Sequence, residues 1–243
     1  MKKYSNLIIV ILTFIILIVI LLNKTIVSET IINSFYIWFN TLVPSMLPMF
    51  IISDILINYN FTKYIPNKII NFISKIFNIS NNATLIVLLS LVSGFPLNAM
   101  NIITSYNNNF ITKRSKSQTF TEIFSSSIKK SINSLLMISV TVCLFLILST
   151  LIINIFHLNS YLSLGIKGIL EMTMGLEHLS KMNISNIFKV ILSSSIISFG
   201  GLSIHMQVIS ILDEKIRYRN YFIGRIYQLL ISLIISLILF YVI

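Results

Sequence analysis

Apolar residues run along this chain in long stretches separated by short polar connectors, and the stretches differ in how they are interrupted. Leu7 to Leu22 is almost purely aliphatic and follows Lys2 and Lys3. The Asn-Lys-Thr-Ile-Val-Ser that follows has no small-residue cleavage pattern, so the run reads as a retained helix whose N-terminus stays in the cytoplasm. Ile31 to Ile57 carries Trp38, Pro44, Pro48 and Asp54. Proline removes a backbone donor and its ring crowds the preceding turn, which predicts a helix broken around Val43 to Pro48. In Phe61 to Phe77, Ile65, Ile69, Phe72, Ile73 and Ile76 recur at helical spacing. Lys63, Asn67, Asn71 and Lys75 recur on the other side, the pattern of an amphipathic helix lying in a membrane interface. The alternative for this segment is packing against a soluble partner.

Further on, Ala83 to about Ser105 is apolar until Ser93-Gly94-Phe95-Pro96 interrupts it. Ser134 to Phe156 is a long uninterrupted helix, and Tyr161 to Leu179 is a weaker one. In the latter, Gly165, Gly168 and Gly175 are spaced for close helix contact. Ile184 to Leu212 is interrupted at Phe199-Gly200-Gly201, and Ile226 to Ile243 closes the pattern. Two interrupted segments at corresponding places suggest two repeats around a site near the bilayer midplane. The expected organisation is an anchor helix over 1–30, a first repeat over 31–127 and a second over 128–243.

Composition confirms the solvent. Hydrophobic residues make up 56% of the chain and charged residues 10%, against roughly 25% charged in soluble domains. The mean hydropathy is +0.91. The net charge of +11 does not point to nucleic acid, because the basic residues sit in short connectors between apolar runs. Lysines and arginines in the N-terminus and in the 106–130, 180–190 and 213–225 connectors place these on the cytoplasmic side. That topology requires re-entrant segments, for which Ala83–Ser105 and Ile184–Leu212 are the candidates. The fold class is an all-α integral membrane protein, a polytopic bundle of roughly six to eight segments with broken helices.

Few residues could carry chemistry. Asp54 lies in an apolar half-helix, where a charge costs about 2.5–3.5 kcal/mol; it reads either as a solute or proton ligand facing a cavity, or as an acid that is interfacial at a helix end or paired with a lysine. Glu171 follows Lys167 by four residues and precedes His178 by seven, so all three share one helix face. A Lys167–Glu171 pair that lowers insertion cost is one reading, and a solute ligand the other. His205 and Gln207 follow the Gly200-Gly201 break, where freed N–H groups of a second half-helix favour anionic or carbonyl-bearing solutes. A structural histidine is the alternative. Pro44, Pro48, Ser93, Gly94, Pro96 and Asn98 complete the candidate gate residues. Enzyme signatures are absent, and His157, His178 and His205 lie in separate segments without clustered acids. Cys143 is alone in an apolar run. No catalytic activity, cofactor, metal or disulfide is expected.

Four stretches together resemble the nucleoside-recognition Gate family, and within it the YlbJ-type sporulation integral membrane proteins. They are the run from Trp38 through Pro44-Ser45-Met46-Leu47-Pro48 to Phe50, Ser93-Gly94-Phe95-Pro96, Leu170-Glu171-Met172-Thr173, and Phe199-Gly200-Gly201-Leu202-Ser203-Ile204-His205. The Ile211-Leu212 and Tyr218-Arg219 ending also fits. Two departures stand out. Asn98 and Met100 replace the glycine and lysine of the family's S-G-Y-P-x-G-A-K element, and the chain is shorter between its basic connector and Ser134. The resemblance implies a role in spore cortex formation and a transporter-like fold moving or sensing a small polar solute. A non-transporting scaffold for spore-envelope assembly and a vegetative nucleoside or small-solute carrier are the alternatives. Implied partners are the lipid bilayer, a small polar solute and other sporulation membrane proteins; nucleic acid is not one.

Overall fold

The computed structural model describes residues 2–59, 64–77, 84, 119–212 and 217–242. Among these the regular elements are helical and there is no strand. In chain order they are α1 (Lys2–Leu22), α2 (Lys24–Ile37), a π turn (Trp38–Leu42), α3 (Val43–Asn58), α4 (Asn67–Phe77), α5 (Phe120–Ile155), α6 (Ser160–Leu170), α7 (Met172–Lys181), α8 (Asn186–Phe199), α9 (Gly201–Ile211) and α10 (Tyr218–Val242).

Four stretches are long and apolar enough to cross a bilayer: Lys24–Asn58, Phe120–Ile155, Asn186–Ser210 and Tyr218–Phe240. Most residues in each of their apolar windows are unburied. On α10 none of the apolar window is buried, and Ile231, Ile234, Ile235 and Ile238 are each about half exposed. Surface of that kind is unfavourable in water and ordinary in lipid, so the chain is a helical membrane protein.

Packing divides the chain into two units. The first comprises Met1–Tyr36, Val140–His205 and Arg219–Ile243; the second comprises Ile37–Ser139 and Met206–Tyr218. In the first, Leu164, Leu179 and Met182 form a buried cluster with Ile184, Leu192 and Ile196 packed against it, knitting α6, α7 and α8 together. In lipid such contacts act through close packing rather than through water exclusion.

The predicted break at Val43 to Pro48 does not occur. The helix runs on, with Pro48 inside α3 and Pro44 at its start. Proline fixes φ near the helical value, so only its missing donor and its ring need accommodation. At Pro44 the π turn supplies that room: Val43 N–H bonds back to Trp38 O, five residues away. Ser45 Oγ donates to Thr41 O (2.8 Å) and Leu42 O (3.1 Å) in the widened turn. Trp38 Nε1 donates to Leu135 O (3.1 Å), fastening the turn to α5.

Two further expectations shift. Residues 120–130, read as basic connector, are the start of α5. A reciprocal cap begins it: Thr119 N–H donates to Glu122 Oε2 (2.9 Å), and Glu122 N–H to Thr119 Oγ1 (3.4 Å). The amphipathic segment is helical from Asn67, just after Pro66, which leaves Ile65 before the helix; Lys63 lies outside the described residues. The Ser93–Pro96 interruption with Asn98 and Met100 also lies outside them, as does the 106–118 part of the basic connector.

Candidate functional site

The Tyr161–Leu179 segment is an antiparallel hairpin rather than one helix. Asn159 starts α6 by accepting Leu162 N–H on its side chain (3.0 Å). At Glu171 the backbone leaves the helix for an extended conformation (φ −145°, ψ 119°), and Glu171 becomes the N-cap of α7. Its Oε2 accepts Met174 N–H (2.9 Å) and the Thr173 hydroxyl. The two arms touch beside the tip, where a Cβ on Gly175 would stand 2.6 Å from Gly168 Cα. At the base, His178 Nε2 lies 3.0 Å from Ser160 O.

This geometry corrects the expected Lys167–Glu171–His178 face. Once Glu171 is extended, the helical spacing no longer relates the three. Glu171 is 2% exposed and spends its carboxylate on its own helix start. Among the described residues the ion pairs are Lys181–Glu177 and Lys130–Asp54, so no Lys167–Glu171 pair forms.

The glycine interruption is where the sequence placed it. Gly200 and Gly201 both have positive φ, 86° and 72°. Gly200 closes α8 with its N–H on Ile196 O (2.9 Å), and α9 starts at Gly201. A Cβ on Gly201 would meet Met172 N at 3.0 Å and Glu171 Cα and Leu170 O at 3.3 Å. Only glycine satisfies both the backbone angle and that approach. The hairpin tip and the α8–α9 break therefore lie against each other, and four helix ends meet: the C-termini of α6 and α8 and the N-termini of α7 and α9. Partial negative and positive backbone charge is thus gathered in one place.

Protein groups seal the ends of opposite sign differently. At the C-terminus of α8, Arg225 Nη1 donates to Ser198 O (3.3 Å), and His205 Nε2 lies 3.1 Å from Phe199 O. The His205 ring is 1% exposed and packed by Phe199, Tyr221 and Phe222, with centroids at 4.8, 5.4 and 5.7 Å. Arg225 is held by Tyr221 Oη (2.9 Å) and Gln228 Oε1 (3.1 Å). At the N-terminus of α9, Ser203 Oγ is fully buried and has no hydrogen-bond partner. Helical Cβ atoms tilt toward the N-terminus, so this hydroxyl leans toward the break.

Asp54 belongs to the other unit and has its own partners. It is 8% exposed and accepts hydrogen bonds from Ser127 Oγ (2.7 Å) and Asn58 Nδ2 (3.0 Å) at Oδ2. Lys130 Nζ stands 3.2 Å from Oδ1 and is itself more than half exposed. Of its two readings, the lysine-paired acid describes this arrangement. One turn along α5, Ser131 Oγ is buried without a partner. Gln207, 3% exposed, also lies in this second unit.

The structure thus brings Glu171, Gly200, Gly201 and His205 together in one unit and places Asp54 and Gln207 in the other. Sequence reasoning missed Arg225, Tyr221 and Ser203. An arginine one residue before the last apolar run, four after a tyrosine, was the available signal for the first two.

Over 125 residues the chain is 28% identical to the sporulation integral membrane protein YlbJ of Bacillus subtilis (strain 168). The match spans 44% of this chain and 31% of that relative, so the chain covers about a third of the relative's length. No protein-family profile matches the chain, and no solved structure does.

Proposed function

We propose that this chain is a sporulation membrane protein in which the crossing of the α6–α7 tip with the α8–α9 break works as a transporter-like gate for a small polar solute. The crossing itself carries the reading: interrupted backbone at the end of short helices, pressed against a second interruption. The arms of the α6–α7 hairpin have 11 and 10 residues, each about 16 Å long. An arm of that length reaches only about half of a 30 Å hydrocarbon core, so the hairpin is re-entrant in this proposal and its tip lies near the midplane, where paired half-helices bind solutes in transporters. The unpartnered Ser203 hydroxyl is the group offered to the solute. The likeness to YlbJ supports the sporulation setting, and the cortex is where the resemblance directs it. The N-terminus is assigned to the cytoplasm, and no covalent chemistry is assigned to the chain.

A scaffold is the second reading, and one observation favours it: Arg225 and His205 satisfy the carbonyls at the end of α8, as a static junction requires. Deletion in the native host, scored for heat-resistant spores and complemented with Ser203→Ala, separates the two. A gate predicts loss of heat-resistant spores on deletion and incomplete rescue by Ser203→Ala; a scaffold predicts full rescue. Normal spores after deletion would remove the sporulation assignment.

A further inference from the structure

The short helix α4 differs in its surface from the spanning helices. It has 11 residues, about 16 Å of helix, too short to cross a bilayer. Ile70 is buried. Ile69, Phe72 and Ile76 form a stripe at spacings of three and four residues and are 46%, 67% and 59% exposed. Lys68 and Lys75 are exposed along the edge of that stripe, next to Phe72 in helical projection. The helix has no acidic residue. Tyr64, just before it, is 82% exposed, and tyrosine is a side chain that favours the headgroup level.

We infer that α4 is a docking face for anionic lipid: its apolar stripe enters the bilayer interface while Lys68 and Lys75 meet headgroup phosphates. Three observations select this occupant. The face pairs exposed large apolar groups with cations alone, which complements an anionic surface. A second copy of the chain would set lysines against lysines, and one stripe of an 11-residue helix is far smaller than the roughly 1,000 Å² that a specific protein interface needs. Residues 59–66, eight in all, separate α4 from the end of α3, so the chain holds it within about 28 Å of a spanning helix end. The inference does not depend on the gate.

The test uses the full chain in a Cys143→Ala background, reconstituted in phosphatidylcholine vesicles with or without phosphatidylglycerol. An environment-sensitive fluorophore is placed at Phe72→Cys, with Ile76→Cys as a second site on the stripe and Asn67→Cys as the control on the other face. At 72 and 76 the fluorophore is expected to be quenched by brominated lipid and shielded from iodide, more strongly with phosphatidylglycerol. At 67 it stays open to iodide. In phosphatidylglycerol vesicles at low salt, Lys68→Gln and Lys75→Gln each reduce the ratio of inserted to free helix about fivefold, from about 1 kcal/mol per cation at an anionic surface. In phosphatidylcholine alone they change nothing. Iodide quenching at 72 equal to that at 67 would overturn the inference. So would protection at 72 from both quenchers, which would place protein on the stripe, or bromolipid quenching indifferent to phosphatidylglycerol and to both lysines.

Discussion

Two places in the chain carry the same kind of sequence signal, and the chain answers it in opposite ways. Around Pro44 and Pro48 the helix persists with one widened turn; at Gly200 and Gly201 it stops and starts again. Proline lacks a donor but holds φ where a helix needs it, so the helix continues, with one π turn absorbing the defect at Pro44. A glycine pair at φ 86° and 72° occupies backbone space that no right-handed helix includes. The proline region stays fastened to α5 through the Trp38 indole. The glycine region instead makes room for another segment, the Leu170–Met172 tip. An apolar helix interrupted by proline is thus a helix still, whereas paired glycines open a true junction.

The largest effect expected from this contrast is at Gly201. Gly201→Ala adds a Cβ 3.0 Å from Met172 N in left-handed backbone, combining strain of about 1–3 kcal/mol with overpacking of about 1–3 kcal/mol. Unfolding of the purified protein in mixed micelles should show a loss of at least 2 kcal/mol; an unchanged midpoint would mean that the tip is not packed there. Next comes Lys130→Gln in the second unit, which leaves the Asp54 carboxylate buried with Ser127 and Asn58 but without a cation. Because Lys130 is more than half exposed, the same titration should show a loss of only about 1–2 kcal/mol. Asp54→Asn together with Lys130→Gln should recover part of it. Pro44→Ala and Pro48→Ala are smaller still, within about 1 kcal/mol of the parent and on the stabilising side, since alanine restores a helical donor. A large loss in either would show that the prolines, not the glycines, hold a functional break. The smallest effect is at Gly165, where a Cβ meets nothing within 4 Å; Gly165→Ala should be neutral or stabilising by a few tenths of a kcal/mol.

The class of fold was legible because hydropathy is a bulk property: 56% hydrophobic residues in long runs leave lipid as the solvent. The glycine break was legible for a local reason, since a Gly-Gly pair inside an apolar run has few other uses. The hairpin was not, because Glu171 ends α6 by capping α7, and a carboxylate serving its own helix start looks in sequence like one spaced to meet Lys167. The start of α5 was written in Thr119 and Glu122, a reciprocal cap hidden beneath the basic residues that gave the stretch its look of a connector. His205 shows the remaining limit. Its position after the break was plain, but its place among Phe199, Tyr221 and Phe222 depends on α10 packing beside it, which spacing along one segment does not encode.

The most direct test is contact between the two interruptions in the intact protein in a bilayer. Photo-leucine at position 170 and photo-methionine at position 172 are near-isosteric with the native side chains and insert into groups within a few ångströms on illumination. Cross-linked peptides joining 170 or 172 to residues 199–204 are the predicted product, since the backbone at Leu170–Met172 lies 3.0–3.3 Å from the Gly201 Cβ position. Adducts at both positions to lipid or to other segments, with 199–204 unlabelled, would contradict the crossing.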